Sequence, residues 1–186
     1  TSTGTNTFSA GSQTLTFSGS GHPLNISSDE TFNSASSTIR YTATGAVTMG
    51  TDYWNLYVGT DADGTTTTYT LGADTTVHNV VLVGNESSTA IDTLNGGSYI
   101  LTLRGTATPF QITSKGAFAG GTGTVKYMGV VGGATTNVSA SSSIAYYNLQ
   151  LIPNANKTYV LGSGANQTLT VNGDFDLGLD NTGITI

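Results

Sequence analysis

The sequence predicts an all-β fold, a parallel β-solenoid (β-helix) built from two repeats of about 86–93 residues, with tandem immunoglobulin-like β-sandwiches as the alternative. Three observations predict it. The chain repeats itself, its short apolar segments alternate with Thr and Ser, and Gly and Asn punctuate those segments where turns are needed.

The repeat comes first because it constrains everything else. Leu15-Thr16-Phe17 returns as Leu101-Thr102-Leu103, and Pro23-Leu24-Asn25-Ile26 as Pro109-Phe110-Gln111-Ile112. Phe32 returns as Phe118, and Ser37–Tyr41 as Gly123–Tyr127, all 86 residues apart. After a short insertion Tyr53–Val58 matches Tyr146–Leu151, 93 residues on, and Tyr69–Gly72 matches Tyr159–Gly162, 90 residues on. This divides the chain into a first repeat, 1–97, and a second, 98–186, which includes the first strand of a third copy. Asn181–Ile186 resembles the stretch from Asn95 to Leu103, where the second copy begins.

Strands are expected, in order, at Thr14–Ser18, Leu24–Ser28, Thr38–Thr44, Trp54–Val58, Thr67–Leu71, Val77–Val83 and Tyr99–Arg104. They continue at Phe110–Thr113, Thr124–Val130, Ile144–Ile152, Thr158–Leu161, Thr168–Val171 and Thr182–Ile186. Each carries β-branched or aromatic residues, which suit a pleated surface. Gly19-Ser20-Gly21, Asp61–Gly64, Asn95-Gly96-Gly97, Gly120-Gly121, Gly132-Gly133 and Asn172-Gly173 separate them, and Gly and Asn supply the positive φ of tight turns. No segment has a 3.6-residue apolar period, so almost no helix is expected.

Period two assigns faces. It places Trp54, Leu56 and Val58 inward with their counterparts Tyr147, Leu149 and Leu151, and turns Tyr53, Asn55, Tyr146 and Asn148 outward. The same rule buries Leu15, Phe17, Ile39, Tyr41, Leu101, Leu103, Val125 and Tyr127. Between the repeats, Val83 to Tyr99, there is no Pro-rich or charged linker, which favours one continuous solenoid over two sandwiches.

Composition narrows the function. Only 9% of residues are charged, against roughly 25% in ordinary domains, and the net charge is −6. Arg40, Arg104, Lys115, Lys126 and Lys157 are scattered, so nucleic acid is not an expected partner. No apolar run is long enough to span a bilayer. Without cysteine the chain has no disulfide or thiolate site. Low charge with abundant Thr, Ser, Gly and Asn points to an exported, extracellular or cell-surface protein. The absence of an initial Met suggests a processed chain or a piece of a longer one. Strand pattern running to both ends suggests bare edges, to be completed by the rest of an array or by neighbouring subunits. Asn-x-Ser/Thr sequons occur at Asn25, Asn85, Asn137, Asn156 and Asn166; a chain so rich in Ser and Thr carries them by composition alone, so glycosylation is permitted rather than indicated.

The phrases Ala145–Leu151, Lys157–Gly162 and Gln167–Phe175 resemble a recurrent pattern, roughly YxNLxL, TYxLG and LTVNGxLxI. That pattern belongs to large repetitive β-strand-repeat surface proteins of bacteria and archaea, the autotransporter-adhesin-like β-solenoids. The first copy holds a weaker version in Tyr53–Tyr57, Thr68–Gly72 and Thr76–Val83. The resemblance implies a cell-surface, non-catalytic role and carries no functional residues across.

No constellation carries a strong chemical signal, and neither a catalytic residue nor a cofactor is expected. Asp61-Ala62-Asp63-Gly64 begins like a calcium loop but lacks the distal Glu, which makes Asp61 and Asp63 weak metal candidates beside the plainer reading of a solvated turn. Asp174 and Asp176 share a strand face, as a glycosidase pair would, without a sign of a cleft. His22 and His78 are the only histidines, a poor metal set. No Gly-x-Ser-x-Gly opens a helix, and the Gly-rich stretches precede strands, unlike phosphate loops. Outward Tyr53, Tyr57 and Tyr146 can stack on sugar rings, or pack against neighbouring chains. Thr66, Thr68 and Thr70 lack the strict array an ice lattice needs. The expected function is therefore that of a non-enzymatic, self-assembling subunit of a surface fibre, or a segment of an adhesin stalk. Its assembly edges are Thr14, Leu15, Thr16 and Phe17 at one end and Ile184, Thr185 and Ile186 at the other, joined by strand addition. The alternative is a polysaccharide- or surface-binding module using the tyrosines.

Overall fold

A computed structural model describes residues 5–43, 45–47, 52–60, 64–130, 132–153, 156–162, 167–178 and 184–185. Among them there is no helix. In chain order the strands are β1 (Asn6–Ser9), β2 (Thr14–Phe17), β3 (Glu30–Asn33), β4 (Thr38–Tyr41), β5 (Gly45–Val47), β6 (Asp52–Val58) and β7 (Thr67–Leu71). Then follow β8 (Thr75–Val83), β9 (Asp92–Asn95), β10 (Ile100–Leu103), β11 (Phe110–Ile112), β12 (Gly116–Ala119), β13 (Thr124–Tyr127) and β14 (Thr135–Val138). The chain closes with β15 (Ile144–Tyr146), β16 (Asn148–Leu151), β17 (Lys157–Leu161), β18 (Thr170–Val171), β19 (Phe175–Leu177) and β20 (Ile184–Thr185).

Every strand pair among the described residues is parallel, and partners are non-consecutive, which is the signature of a β-solenoid. The antiparallel pairs of a β-sandwich are absent among the described residues. Rungs are mostly one coil of 24 to 26 residues apart: Thr14 lies against Thr38, Thr75 against Leu101 and Thr124 against Asn148.

The coil has three faces. The first holds the start of β6, the start of β8, β10, β13, β16 and β19. The second holds β2, β4, the end of β6, the end of β8 and β11, continued by β14, β17 and β20. The third holds β5, β7, β9, β12, β15 and β18. The long strands β6 and β8 run around the corner between the first two faces. There the register slips: Tyr53 and Asn55 are two residues apart and their partners Val77 and Val80 three, so the extra residue lies on β8, a bulge that bends that strand. Among the described residues β1 and β3 pair only with each other. Since β3 leads into β4 as the start of β6 leads into its end, β3 lies beneath the start of β6 without pairing with it.

Inward side chains of all three faces meet in one apolar column. Ile39, Leu56, Leu71, Leu94, Leu101, Phe110 and six tyrosines are fully buried in it. Repeat-related residues occupy matched environments. Tyr41 and Tyr53 join their hydroxyls at 3.0 Å, and so do their counterparts Tyr127 and Tyr146. Phe17 lies one rung from Tyr41, and Leu103 one rung from Tyr127. The Asn55 amide reaches Thr38 Oγ1 at 3.2 Å, and the Asn148 amide reaches Thr124 Oγ1 at 3.4 Å. The repeat is not a whole number of coils, however. β4 lies on the second face and its counterpart β13 on the first, so the second copy is turned by one face.

Several sequence expectations need correction. Leu24–Ser28 forms no strand. Ile144–Ile152 is two strands, broken at a corner at Tyr147. β1, β3, β5, β9, β12, β14 and β19 lie outside the expected strands; they are short and several consist of small or polar residues. The parity of the two tyrosine segments also reverses before Asn55 and Asn148. Tyr53 and Tyr146 are fully buried, whereas Trp54 and Tyr147 stand 39% and 38% exposed. Leu56, Val58, Leu149 and Leu151 are buried as expected.

Candidate functional site

The edges at the two ends of the column are the first candidate site. β2 pairs with β4 on one side and with no other described strand. The carbonyls of Gln13 and Phe17 accept from Thr38 and Thr42, both at 3.0 Å. By parallel alternation Leu15 and Phe17 bond to β4, and the backbone N–H and C=O of Thr14 and Thr16 face the open edge. Leu15 and Phe17 are only half-buried, though they pack against the core. At the other end β19 and β18 are terminal in their sheets. Phe175 is 45% exposed there, with Leu169, Val171 and Leu177 partly buried beside it. Ile184 and Thr185 pair with Lys157 and Thr158, and Ile186 lies outside the described residues.

The tyrosines do not form the sugar-stacking row expected of them. Tyr53 and Tyr146 have no accessible ring face. Tyr57 points outward, but the Arg40 guanidinium covers its ring at 4.9 Å. The buried pair in the second copy is instead a closed hydrogen-bond circuit. Tyr146 donates to the Ser139 carbonyl at 2.8 Å, so Tyr127 donates to the Tyr146 oxygen, and the Ser139 N–H donates to Tyr127 at 3.3 Å. Burial pushes the Tyr127 hydroxyl up to about 12 and Tyr146 well above its ordinary value. Tyr159 donates to the Tyr127 carbonyl at 2.9 Å, and its pKa is raised by the same cause. These hydroxyls are structural: they satisfy polar groups that an apolar column would otherwise strand.

Asp61 and Asp63 lie outside the described residues. Their flank is a buried polar knot. The Thr60 N–H donates to Asp92 Oδ1 at 3.2 Å, and Asn85 donates from its amide to the Thr60 carbonyl at 2.9 Å. Asn85 also accepts from the Ser87 N–H at 3.0 Å, and Ser88 caps Ala90 at 3.1 Å. The Asn85 sequon is therefore occupied by the fold, with its amide nitrogen committed. Asn85→Ala is expected to lower stability by about 1–3 kcal/mol by stranding the Thr60 carbonyl, read as a lower urea midpoint. Of the other sequons, Asn25 and Asn156 are exposed, Asn137 is half-buried with its amide on Thr108 Oγ1 at 2.9 Å, and Asn166 is outside the described residues.

Asp174 and Asp176 are exposed and His22 is exposed. Among the described residues no three acidic or histidine side chains converge on a metal position, and no helix is long and apolar enough to cross a membrane. Two features escaped the sequence reading. Lys157 is buried, donates to Thr136 Oγ1 at 3.2 Å and has its pKa lowered by burial, its stem filling the space beside Gly129. Trp54 stacks on His78, whose Nε2 lies 3.1 Å from Asp52 Oδ2. The interrung spacing of these three is visible only once the coil length is known. No family model matches the chain, and no curated protein or solved structure matches it.

Proposed function

We propose that the chain is a non-enzymatic building block of an extracellular fibre or adhesin stalk, extended by strand addition at the ends of its solenoid. The observation that carries this reading is the unfinished column. At β2 and at β18–β19 the parallel sheets stop on strand edges without a partner among the described residues, with Phe17 and Phe175 half-open above them. Natural sheets normally blunt or cover such edges. Here a further parallel rung, from the same polypeptide or from another copy, buries the rings and pairs the backbone at once. The low charge supports the extracellular part of the reading, and the stiff hydrogen-bonded coil supports the part of a spacer.

Thr16→Pro tests it. Thr16 N–H faces the open edge, so proline removes a donor that β4 does not use, and edge strands tolerate proline there. The expected result is end-to-end oligomers or filaments of the wild-type chain by electron microscopy and light scattering. The variant should associate at least tenfold more weakly with an unchanged melting curve. A wild-type chain that stays monomeric at millimolar concentration, and is not part of a longer coil, refutes the reading.

A further inference from the structure

We propose that the splayed junction between β3 and β6 is a binding cleft for a neutral saccharide ring. On the second face β4 and the end of β6 are fully paired, from Thr38–Asn55 to Tyr41–Val58. On the first face β3 and the start of β6 are not: among the described residues β3 pairs only with β1. The coil therefore opens on one side, leaving a cleft of about 440 Å³. That volume lies within the range of small-ligand sites, roughly 300–1,000 Å³.

The walls are chemically unlike. One is an aromatic platform. The Trp54 indole is 39% exposed and lies parallel to His78, with 6.3 Å between centroids and 8° between planes. The register slip between Tyr53 and Asn55 creates it, since strict alternation back from buried Leu56 would point Trp54 into the core. The other wall carries Thr7, Thr31, Asn33 and Ser34 around the apolar Phe32 and Ala35. Asp52 stands at the rim, 61% exposed and held by His78 Nε2 at 3.1 Å.

This pairing suits a pyranose. Its C–H face stacks on an indole, and its hydroxyls need donors and acceptors on the opposite side. The carboxylate of Asp52 accepts two vicinal hydroxyls and disfavours a phosphate. No Lys or Arg lines the cleft, and the chain is acidic overall, so a nucleotide or an anionic sugar is the wrong ligand. Asn33 accepts the Ala35 N–H on its Oδ1 at 2.9 Å, and its amide nitrogen and the Thr7 and Thr31 hydroxyls remain to meet the sugar.

Trp54 is the only tryptophan, so its fluorescence reports on this cleft alone. The full chain is titrated with cellohexaose, chitohexaose, laminarihexaose and maltohexaose, with calorimetry in parallel. A saturable change in Trp54 emission with at least one hexaose is expected. Trp54→Ala and Asp52→Ala should each weaken that sugar about tenfold or more, while Tyr57→Ala on the neighbouring face leaves it unchanged. Because Trp54→Ala can disturb the corner, Asp52→Asn serves as the second variant, with the same loss expected and the melt retained. The proposal is overturned by no saturable change with any of the four at millimolar sugar. Binding that survives both Trp54→Ala and Asp52→Asn overturns it too, as does an emission change that tracks protein concentration without sugar. Filament formation by Trp54→Ala separates this outcome from that of the assembly reading, since the cleft lies on the coil's side and not on the β2 edge.

Discussion

Gly84→Ala should destabilise the fold by roughly 2–6 kcal/mol, from a left-handed backbone strain of about 1–3 and a steric term of similar size. Gly84 is buried, with φ at +96°, at the end of β8. An added Cβ would sit 2.5 Å from the Gly116 nitrogen and 2.6 Å from the Lys115 carbonyl carbon, and would also run into Thr113 Oγ1. Two of those three atoms are backbone of the next coil, which cannot move without parting β8 from β11. Gly133 supplies the control: its φ is +74°, but a Cβ added there would meet nothing within 4 Å. Gly133→Ala should therefore lose only the backbone term, about 1–3 kcal/mol. Urea unfolding of the two variants measures the difference, and equal losses would show that the close approach of the next coil adds nothing to the strain at Gly84. Since domains are stable by only about 5–15 kcal/mol in total, Gly84→Ala should approach the limit at which the coil folds at all.

The class of fold is legible in the sequence because alternation, turn glycines and an internal repeat all act locally. Thr67–Leu71 is a strand with the bounds that its Thr-Thr-Tyr-Thr-Leu pattern indicates. The repeat holds in three dimensions because Tyr41 with Tyr53, and Tyr127 with Tyr146, must reach each other across the same column. What stays hidden is where strands change face. Period two is a rule for an uninterrupted strand, and Tyr53-Trp54-Asn55 lies at a register slip against β8 while Tyr146-Tyr147-Asn148 contains a corner. A slip of one residue inverts parity, so the Tyr53 ring that strict alternation would expose is buried, and Trp54, which it would bury, stands outside. Nothing in either tripeptide marks that slip, because Tyr and Trp are each at home on both sides of a sheet. The coil length is hidden for a related reason. The strongest self-match, 86 residues, spans a fractional number of coils, so each copy meets its counterpart's neighbours on a different face.

Alkali is expected to unfold the protein in a cooperative step above pH 10, even though acidic residues outnumber basic ones at neutral pH. Tyr127 is fully buried, and burial lifts its hydroxyl to about 12, with Tyr146 and Tyr159 raised by the same cause. Below the ordinary tyrosine value, about 10, both folded and unfolded chains keep these protons and stability does not depend on them. Above it the unfolded chain releases protons that the folded chain still holds, so stability falls as pH rises. Tyr127 alone contributes a loss on the order of 3 kcal/mol by the time its own folded value is reached. The circuit makes the loss steeper, for an ionised Tyr127 no longer donates to Tyr146, and an ionised Tyr146 no longer donates to the Ser139 carbonyl. Phenolate absorbance followed alongside circular dichroism, in the wild type and in Tyr127→Phe, measures this. The phenolate signal of Tyr127, Tyr146 and Tyr159 should rise only together with the collapse of the dichroism. Tyr127→Phe should lose about 1–3 kcal/mol at neutral pH and show a shallower decline above pH 10, because the group that titrates is gone. Tyr127, Tyr146 and Tyr159 ionising with the β-sheet signal intact would mean that their hydroxyls are open to water and that the column has no dry centre.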